Sequence, residues 1–249
     1  MSRPRILLIN PNTTEEITGR ILALAVQECG NVGEFDAVTA RFGARYISDR
    51  ASATIAAHAV LDAYAAAQET GIAPDAVVVA CFGDPGLEAL TELLSIPVVG
   101  FAQAGIRAAA REPGKFIIAT SGEAWRDMLS ELVGRLGLSA KLAGFALLGE
   151  VERDPDAVAR LIEATAKDLG AERAVLGGTG LIPIIPDVGQ RLHLAMIDPH
   201  RVALREAVAL AMTSYMAARA TSAKGTFSGL SGPLARLLEH PKPDEISAE

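Results

Sequence analysis

The sequence predicts an α/β fold: two similar α/β lobes with parallel-type sheets, facing each other across an active-site cleft. Three observations predict it. Short aliphatic runs alternate along the chain with longer stretches of helical spacing. Of the 249 residues 50% are hydrophobic but only 4% are aromatic, so the core is aliphatic and alanine-rich, as helices packed on a parallel sheet require. The plan of acidic residue, aliphatic strand and small-residue loop occurs twice, at residues 75–83 and 172–180. The two copies lie about a hundred residues apart, about one small domain. The expected division is residues 1–100 plus about 199–220 for the first lobe and 101–198 for the second. Residues 221–249 form a partly ordered C-terminal tail.

Residues 6–9 form an apolar run that ends at Asn10-Pro11-Asn12-Thr13-Thr14. This reads as a strand, a polar loop and a helix over about 15–28, with Thr13 or Thr14 as N-cap. The Asn and Thr side chains offer donors to a ligand carboxylate or carbonyl, or simply make the turn. Cys29 ends an apolar helical run and reads as core packing. A second strand covers 34–40. The irregular stretch after it carries Arg41, Arg45 and Arg50, which are anion clamps or solvated charges. A helix over 51–68 holds His58, which reads as structural.

Residues 77–86, Val-Val-Val-Ala-Cys-Phe-Gly-Asp-Pro-Gly, organise the chain. The valines read as a buried parallel strand and Asp-Pro-Gly as a turn, with helical spacing over 87–94. Cys81 thus falls where a strand ends and a helix is about to begin, the crevice in which open α/β sheets bind ligands. A thiol near helix-start N–H groups has its pKa lowered from about 8.5 toward neutrality. The alternative is a small buried hydrophobe.

A short strand beside Pro97 ends at Gly100, a helix covers 103–111 and a buried strand 116–119. Thr120-Ser121-Gly122 follows; its hydroxyls bind a carboxylate, or Ser121 caps the helix from Glu123. A strand over 142–148 precedes Asp154-Pro155-Asp156, which opens a helix to about Gly170. Residues 174–176 form a strand before Gly177-Gly178-Thr179-Gly180. A last strand over 196–198 leads into a long helix over 199–218. Residues 224–249 are expected to be partly ordered, with 234–238 able to dock.

A net charge of -7 argues against a nucleic-acid partner, which would need a basic face, and against an anionic membrane surface. Two cysteines make no disulfide framework. The amino terminus runs straight into a strand and no apolar stretch reaches spanning length, so the chain is expected to be soluble and cytoplasmic. His58, His193, His200 and His240 do not cluster, so no metal is expected. A dinucleotide fingerprint is absent, so neither is a nucleotide cofactor. Alanine-rich faces such as 51–67 suggest a homo-oligomer, and the expected ligand is a small-molecule substrate.

Ile9-Asn10-Pro11-Asn12-Thr13, Ala80-Cys81-Phe82-Gly83-Asp84-Pro85-Gly86 and Leu176-Gly177-Gly178-Thr179-Gly180 resemble the aspartate/glutamate/hydantoin racemase superfamily, in its hydantoin and allantoin racemase branch. The likeness runs in order to about Ala218. It implies a cofactor-independent enzyme with one cysteine from each lobe on opposite faces of the substrate α-carbon. One thiolate removes the α-proton and the opposite thiol returns a proton. Preorganised donors hold the oxyanion that develops. Cys81 matches the first of these cysteines. The residues expected to bind substrate are Asn10, Asn12, Thr13, Phe82, Gly83, Asp84, Thr120, Ser121, Gly178, Thr179 and Gly180.

Where the family pattern reads Leu-Gly-Cys-Ala-Gly, this chain has Gly178 in place of the second cysteine. The Thr179 hydroxyl is too weak an acid to mirror a thiol, and Cys29 lies in a helix of the first lobe. The expectation is an isomerase abstracting an α-proton from a small hydantoin, ureide or amino-acid-like substrate. Its second acid is a water or another residue, with His193 and Asp187 candidates by position. Three alternatives remain open. One is a single-cysteine lyase resembling the arylmalonate decarboxylases, whose cysteine sits on the second-lobe side. The others are a covalent-cysteine isomerase or hydrolase and an inactive small-ligand binder.

Overall fold

The computed structural model describes residues 3–213 and 226–239. The chain begins with β1 (Arg5–Asn10), α1 (Glu15–Cys29), β2 (Glu34–Thr39), α2 (Arg50–Glu69), β3 (Ala76–Val79), α3 (Leu87–Leu93) and β4 (Val98–Gly100). These strands form a parallel sheet in the order β2-β1-β3-β4. β1 and β3 occupy the middle, covered on both faces, which is why they read as nearly unbroken aliphatic runs. β2 lies at the edge and alternates Glu34 and Asp36 with Phe35 and Ala37. Pro97 precedes β4, where its missing donor is not needed, and its carbonyl accepts from Val77 N–H.

The chain continues with α4 (Phe101–Arg111), β5 (Phe116–Thr120), α5 (Glu123–Arg135), β6 (Leu142–Leu147), α6 (Pro155–Leu169), β7 (Arg173–Leu176), α7 (Ile185–Arg191) and β8 (Ala195–Ile197). The second sheet is also parallel, ordered β6-β5-β7-β8, which repeats the first. α8 (Pro199–Met212) then returns to the first sheet, burying Ala203, Leu204 and Ala207 with Ile6, Leu8 and Val78. α6 and α8 start alike, with Asp154 or Asp198 accepting two backbone N–H bonds and proline in the first turn.

α4 belongs to both cores. Phe101 and Ala104 pack into the first lobe, whereas Ala102, Ile106 and Ala109 pack with Phe116, Ile118 and Val175 of the second. One helix with two apolar faces is what a shared wall demands.

The structure corrects several readings. Residues 185–191, expected as loop, form α7, because Ile185 and Val188 are buried and Pro186 stands in its first turn, where proline is tolerated. Thr14 holds the N-cap position of α1 but makes no side-chain cap bond; its hydroxyl donates to Arg45 O instead. In the tail, α9 (Gly232–Glu239) docks against α2. Leu234 is buried, Ser231 Oγ donates to Asp62 Oδ1 at 2.5 Å, and Arg41 makes a forked bond to the same buried carboxylate at 2.8–2.9 Å. The expected run of α8 to Ala218 and the reading of the tail beyond Glu239 lie outside the described residues.

Candidate active site

The carboxyl ends of both sheets face a cavity of about 390 Å³, large enough for a small ligand. From the first lobe it is lined by Cys81, two residues beyond the end of β3 at Val79, together with Phe82 and Asn12. From the second it is lined by Thr120, Ser121 and the loop 177–181.

Cys81 is held by a tight turn: its carbonyl accepts from the N–H groups of Gly83 and Asp84 at 3.0 and 3.2 Å. Closing that turn puts Asp84 at φ 52, a left-handed conformation that aspartate tolerates better than most residues. The Asp84 carboxylate then reaches the start of α4 and accepts from Ala102 and Gln103 N–H at 2.9 and 2.7 Å. Asp84 is therefore a buried anchor and not the ligand contact expected for it. Burial pushes its carboxyl up to about 7, against the pull of those two bonds.

The same geometry overturns the expected thiol activation. Burial, and then the Asp84 charge, push the Cys81 thiol well above its ordinary value. α3 begins at Leu87, six residues beyond Cys81 and after Pro85 and Gly86, and the amides at the start of α4 are engaged by Asp84. Neither of these two helix starts favours the thiolate.

Two aromatic side chains close the lobes on each other. The Phe82 ring lies so near Gly177 that a Cβ there would overlap it, and the Trp125 indole lies equally near Gly83. Trp125 Nε1 also donates to Ile47 O at 3.1 Å. Glycine at 177 is thus a condition of close approach.

On the second-lobe wall Ser121 Oγ donates to Glu152 Oε2 at 2.6 Å. Gly122 occupies the N-cap of α5, so Ser121 is free for the cleft. Gly149–Val151 forms a single 3-10 turn after β6 and delivers Glu152. Gly178 has φ +132, outside the range side-chain-bearing residues favour, and Thr179–Leu181 is another 3-10 turn.

Of the expected residues, Cys81, Asn12, Phe82, Thr120, Ser121, Gly178, Thr179 and Gly180 line the cavity. The others serve its walls. Asn10 is buried and its amide bonds Asn12, Thr14 O and Thr18. Thr13 is fixed by its N–H to Ala44 O, and Gly83 seats Trp125. His193 and Asp187 are not in the cleft: the His193 N–H bonds Glu163, and Asp187 lies in α7. Arg41 and Arg50 pair with Asp62 and Glu131, and the His58 ring meets Phe42 edge-on. Sequence reading missed Arg20, Tyr46, Trp125, Glu152 and Arg153, all in the cavity wall. The signal for Glu152 was available, since it follows a parallel strand at its carboxyl end. Tyr46 is exposed overall, but its hydroxyl lies beside Trp125 and Ser121. Burial first, then the charges of Glu152 and Cys81, raise that phenol.

A thiol at one strand end, facing a hydroxyl-lined wall from a matching lobe, is a geometry for moving a proton at a bound carbon. The family model for Asp/Glu/Hydantoin racemase matches residues 6–207. The chain belongs to that family. It is similar to hydantoin racemase of Paenarthrobacter aurescens, at 34% identity over 229 residues, 88% of this chain and 95% of that protein. Allantoin racemase from Klebsiella pneumoniae superimposes with a TM-score of 0.79 at 27% identity, covering 93% of each chain. Allantoin racemase from Pseudomonas fluorescens gives the same TM-score at 26% identity, over 96% of this chain and 97% of that one. The family membership makes this chain an isomerase of the racemase class. Among the described residues, no helix is long and apolar enough to cross a membrane.

Proposed function

We propose that this racemase-family enzyme exchanges the α-proton of a 5-substituted hydantoin or a related cyclic ureide, with Cys81 as an acid/base group. The observation that carries this reading is the placement of Cys81. Its turn sits at the cleft mouth of a central strand, tied to the helix both lobes share, against the hydroxyls of Thr120 and Ser121. The likeness to hydantoin racemases supports the ring substrate. In this reading an α-proton leaves carbon as its electron pair moves into the adjacent carbonyl. The oxyanion so formed is met by N–H groups of the 177–180 loop and by the Thr120 hydroxyl of the same wall.

The test is solvent-deuterium exchange by NMR on each enantiomer of a panel of 5-substituted hydantoins and allantoin, wild type beside Cys81→Ser. The expected result is racemisation reduced by about 10²–10⁴-fold in the variant, the usual weight of a positioned acid/base group. Turnover left intact in Cys81→Ser would sink the reading. Release of carbon dioxide from a malonate half-acid, with no exchange on any hydantoin, would replace it by a lyase.

A further inference from the structure

Racemisation needs a proton-transfer group on each face of the α-carbon, and this chain brings one cysteine to its cleft. The other cysteine, Cys29, is the last residue of α1 and is buried in the first-lobe core. Among the described residues, the cleft wall holds five titratable side chains: Arg20, Tyr46, Cys81, Glu152 and Arg153. A guanidinium does not give up its proton in a protein. The hydroxyls of Thr120, Ser121 and Thr179 are too weakly acidic to alternate between donor and base. Tyr46 belongs to the first lobe, as Cys81 does, and its phenol is held in the protonated form by its surroundings.

Glu152 remains, and its placement is that of a built side chain. It comes from the second lobe and lines the same cavity as Cys81, which comes from the first. Ser121 fixes one carboxylate oxygen, Oε2, at 2.6 Å, while Oε1 accepts no bond from the described residues. We propose that Glu152, oriented by Ser121, is the second proton-transfer group, and that the enzyme works with a thiol–carboxylate pair in place of two thiols.

The inference rests on the reading of Cys81 as an acid/base group, and the protons balance in both directions. With one enantiomer, the Glu152 carboxylate takes the α-proton and becomes a carboxylic acid. The C–H electron pair moves into the carbonyl to form the enolate. The Cys81 thiol then gives its proton to the other face of the carbon, leaving a thiolate. With the other enantiomer the thiolate takes the proton and the carboxylic acid returns one. The pair carries one proton in each resting form and two while the enolate is present, and no further reactant is consumed.

The experiment is deuterium wash-in at C5 of D- and L-5-benzylhydantoin, followed separately, for wild type, Glu152→Gln, Cys81→Ser and Ser121→Ala. Racemisation is expected to fall by about 10²–10⁴-fold in both Glu152→Gln and Cys81→Ser. Each of these variants is expected to keep wash-in on one enantiomer, and the two are expected to keep opposite ones. Ser121→Ala, which removes the bond to Oε2 but leaves the carboxylate in place, is expected to lower racemisation less than Glu152→Gln does and to shift the acidic limb of its pH profile. Glu152→Gln with wash-in and racemisation within about threefold of wild type overturns the proposal. If Cys81→Ser still abolishes wash-in on one enantiomer in that case, the proposed function stands and this inference alone falls. Should Cys81→Ser change nothing, both fall. Circular dichroism on each variant separates loss of chemistry from loss of fold, and Ser121→Ala with an unshifted pH profile counts against the positioning role.

Discussion

The two lobes repeat each other in strand order, yet their corresponding strand ends differ. After β3 the chain makes a tight turn around Cys81, fills it with Phe82 and anchors it through Asp84. After β7 it runs through Gly177, Gly178, Thr179 and Gly180, with small side chains or none and with Gly178 at φ +132. The first end carries a reactive side chain and the second carries backbone. The second lobe makes up the difference in the segments that follow β5 and β6, which bring Ser121 and Glu152 to the cavity beside Thr120. A duplicated fold therefore need not duplicate its chemistry: the sheet fixes where functional groups are presented, and each loop decides which groups they are.

The comparison breaks most directly at the contact joining the two strand ends. Gly177→Ala places a Cβ inside the Phe82 ring, which is buried and cannot swing away without opening the cleft wall. Overpacking of this kind costs about 1–3 kcal/mol. The expected outcome is a lower midpoint in chemical denaturation together with lost turnover. An unchanged midpoint would mean that the lobes close less tightly than these contacts indicate.

Gly178→Ala tests the bareness of the second loop. A Cβ there meets only Leu181, at ordinary contact distance, so the strain lies in the backbone. Adopting that φ costs about 1–3 kcal/mol. Gly178→Cys should lose the same stability as Gly178→Ala in a denaturant titration. If it loses none, the loop accepts a side chain and a two-thiol site is within reach of one substitution.

Asp84 sharpens the first side of the comparison. Its carboxyl sits at about 7 in the folded protein, against an ordinary 3.8. Between those values the native state keeps a proton that the unfolded chain has lost, so this group makes stability fall as pH rises through the window. Glu88 adds to the upward shift, and Arg107 opposes it. Asp84→Asn should flatten that part of the stability profile measured from pH 4 to 8. It should also lower the pH at which Cys81 is alkylated, read by mass spectrometry, because the Asp84 charge helps hold the thiol up. The smallest effect is expected at the lobe surface. Arg50 and Glu131 pair across the lobes at 2.7–2.8 Å but are exposed, so Arg50→Ala should leave the thermal midpoint almost unmoved.

Much of the architecture was legible because buried parallel strands announce themselves as short aliphatic runs. β3, β5 and β7 could be placed from their valines, isoleucines and alanines alone. The Cys81 turn was legible from Asp-Pro-Gly. Asp84 was misread because its role depends on where α4 begins, a contact eighteen positions away that no local pattern encodes. The thiol was misread for the same reason: position at a strand end says nothing of whether a donor or a carboxylate stands beside it. Tyr46 and Trp125 were missed because loop and helix aromatics acquire a role only when the lobes meet. α7 was missed because two prolines mask a short helix whose apolar side is seated on its neighbours.

The double membership of α4 has a mechanical consequence. Its side chains are set in both cores, and its first amides hold Asp84 and, through it, the turn of Cys81. A rotation of one lobe against the other must pivot on this helix, much as a door turns on its pin. The thiol is fastened to the pin, whereas Ser121 and Glu152 ride on the moving leaf. A change in the gap across the cleft would therefore move Ser121, Glu152 and the Trp125 ring packed beside Cys81, while the turn that carries the thiol stays with the helix.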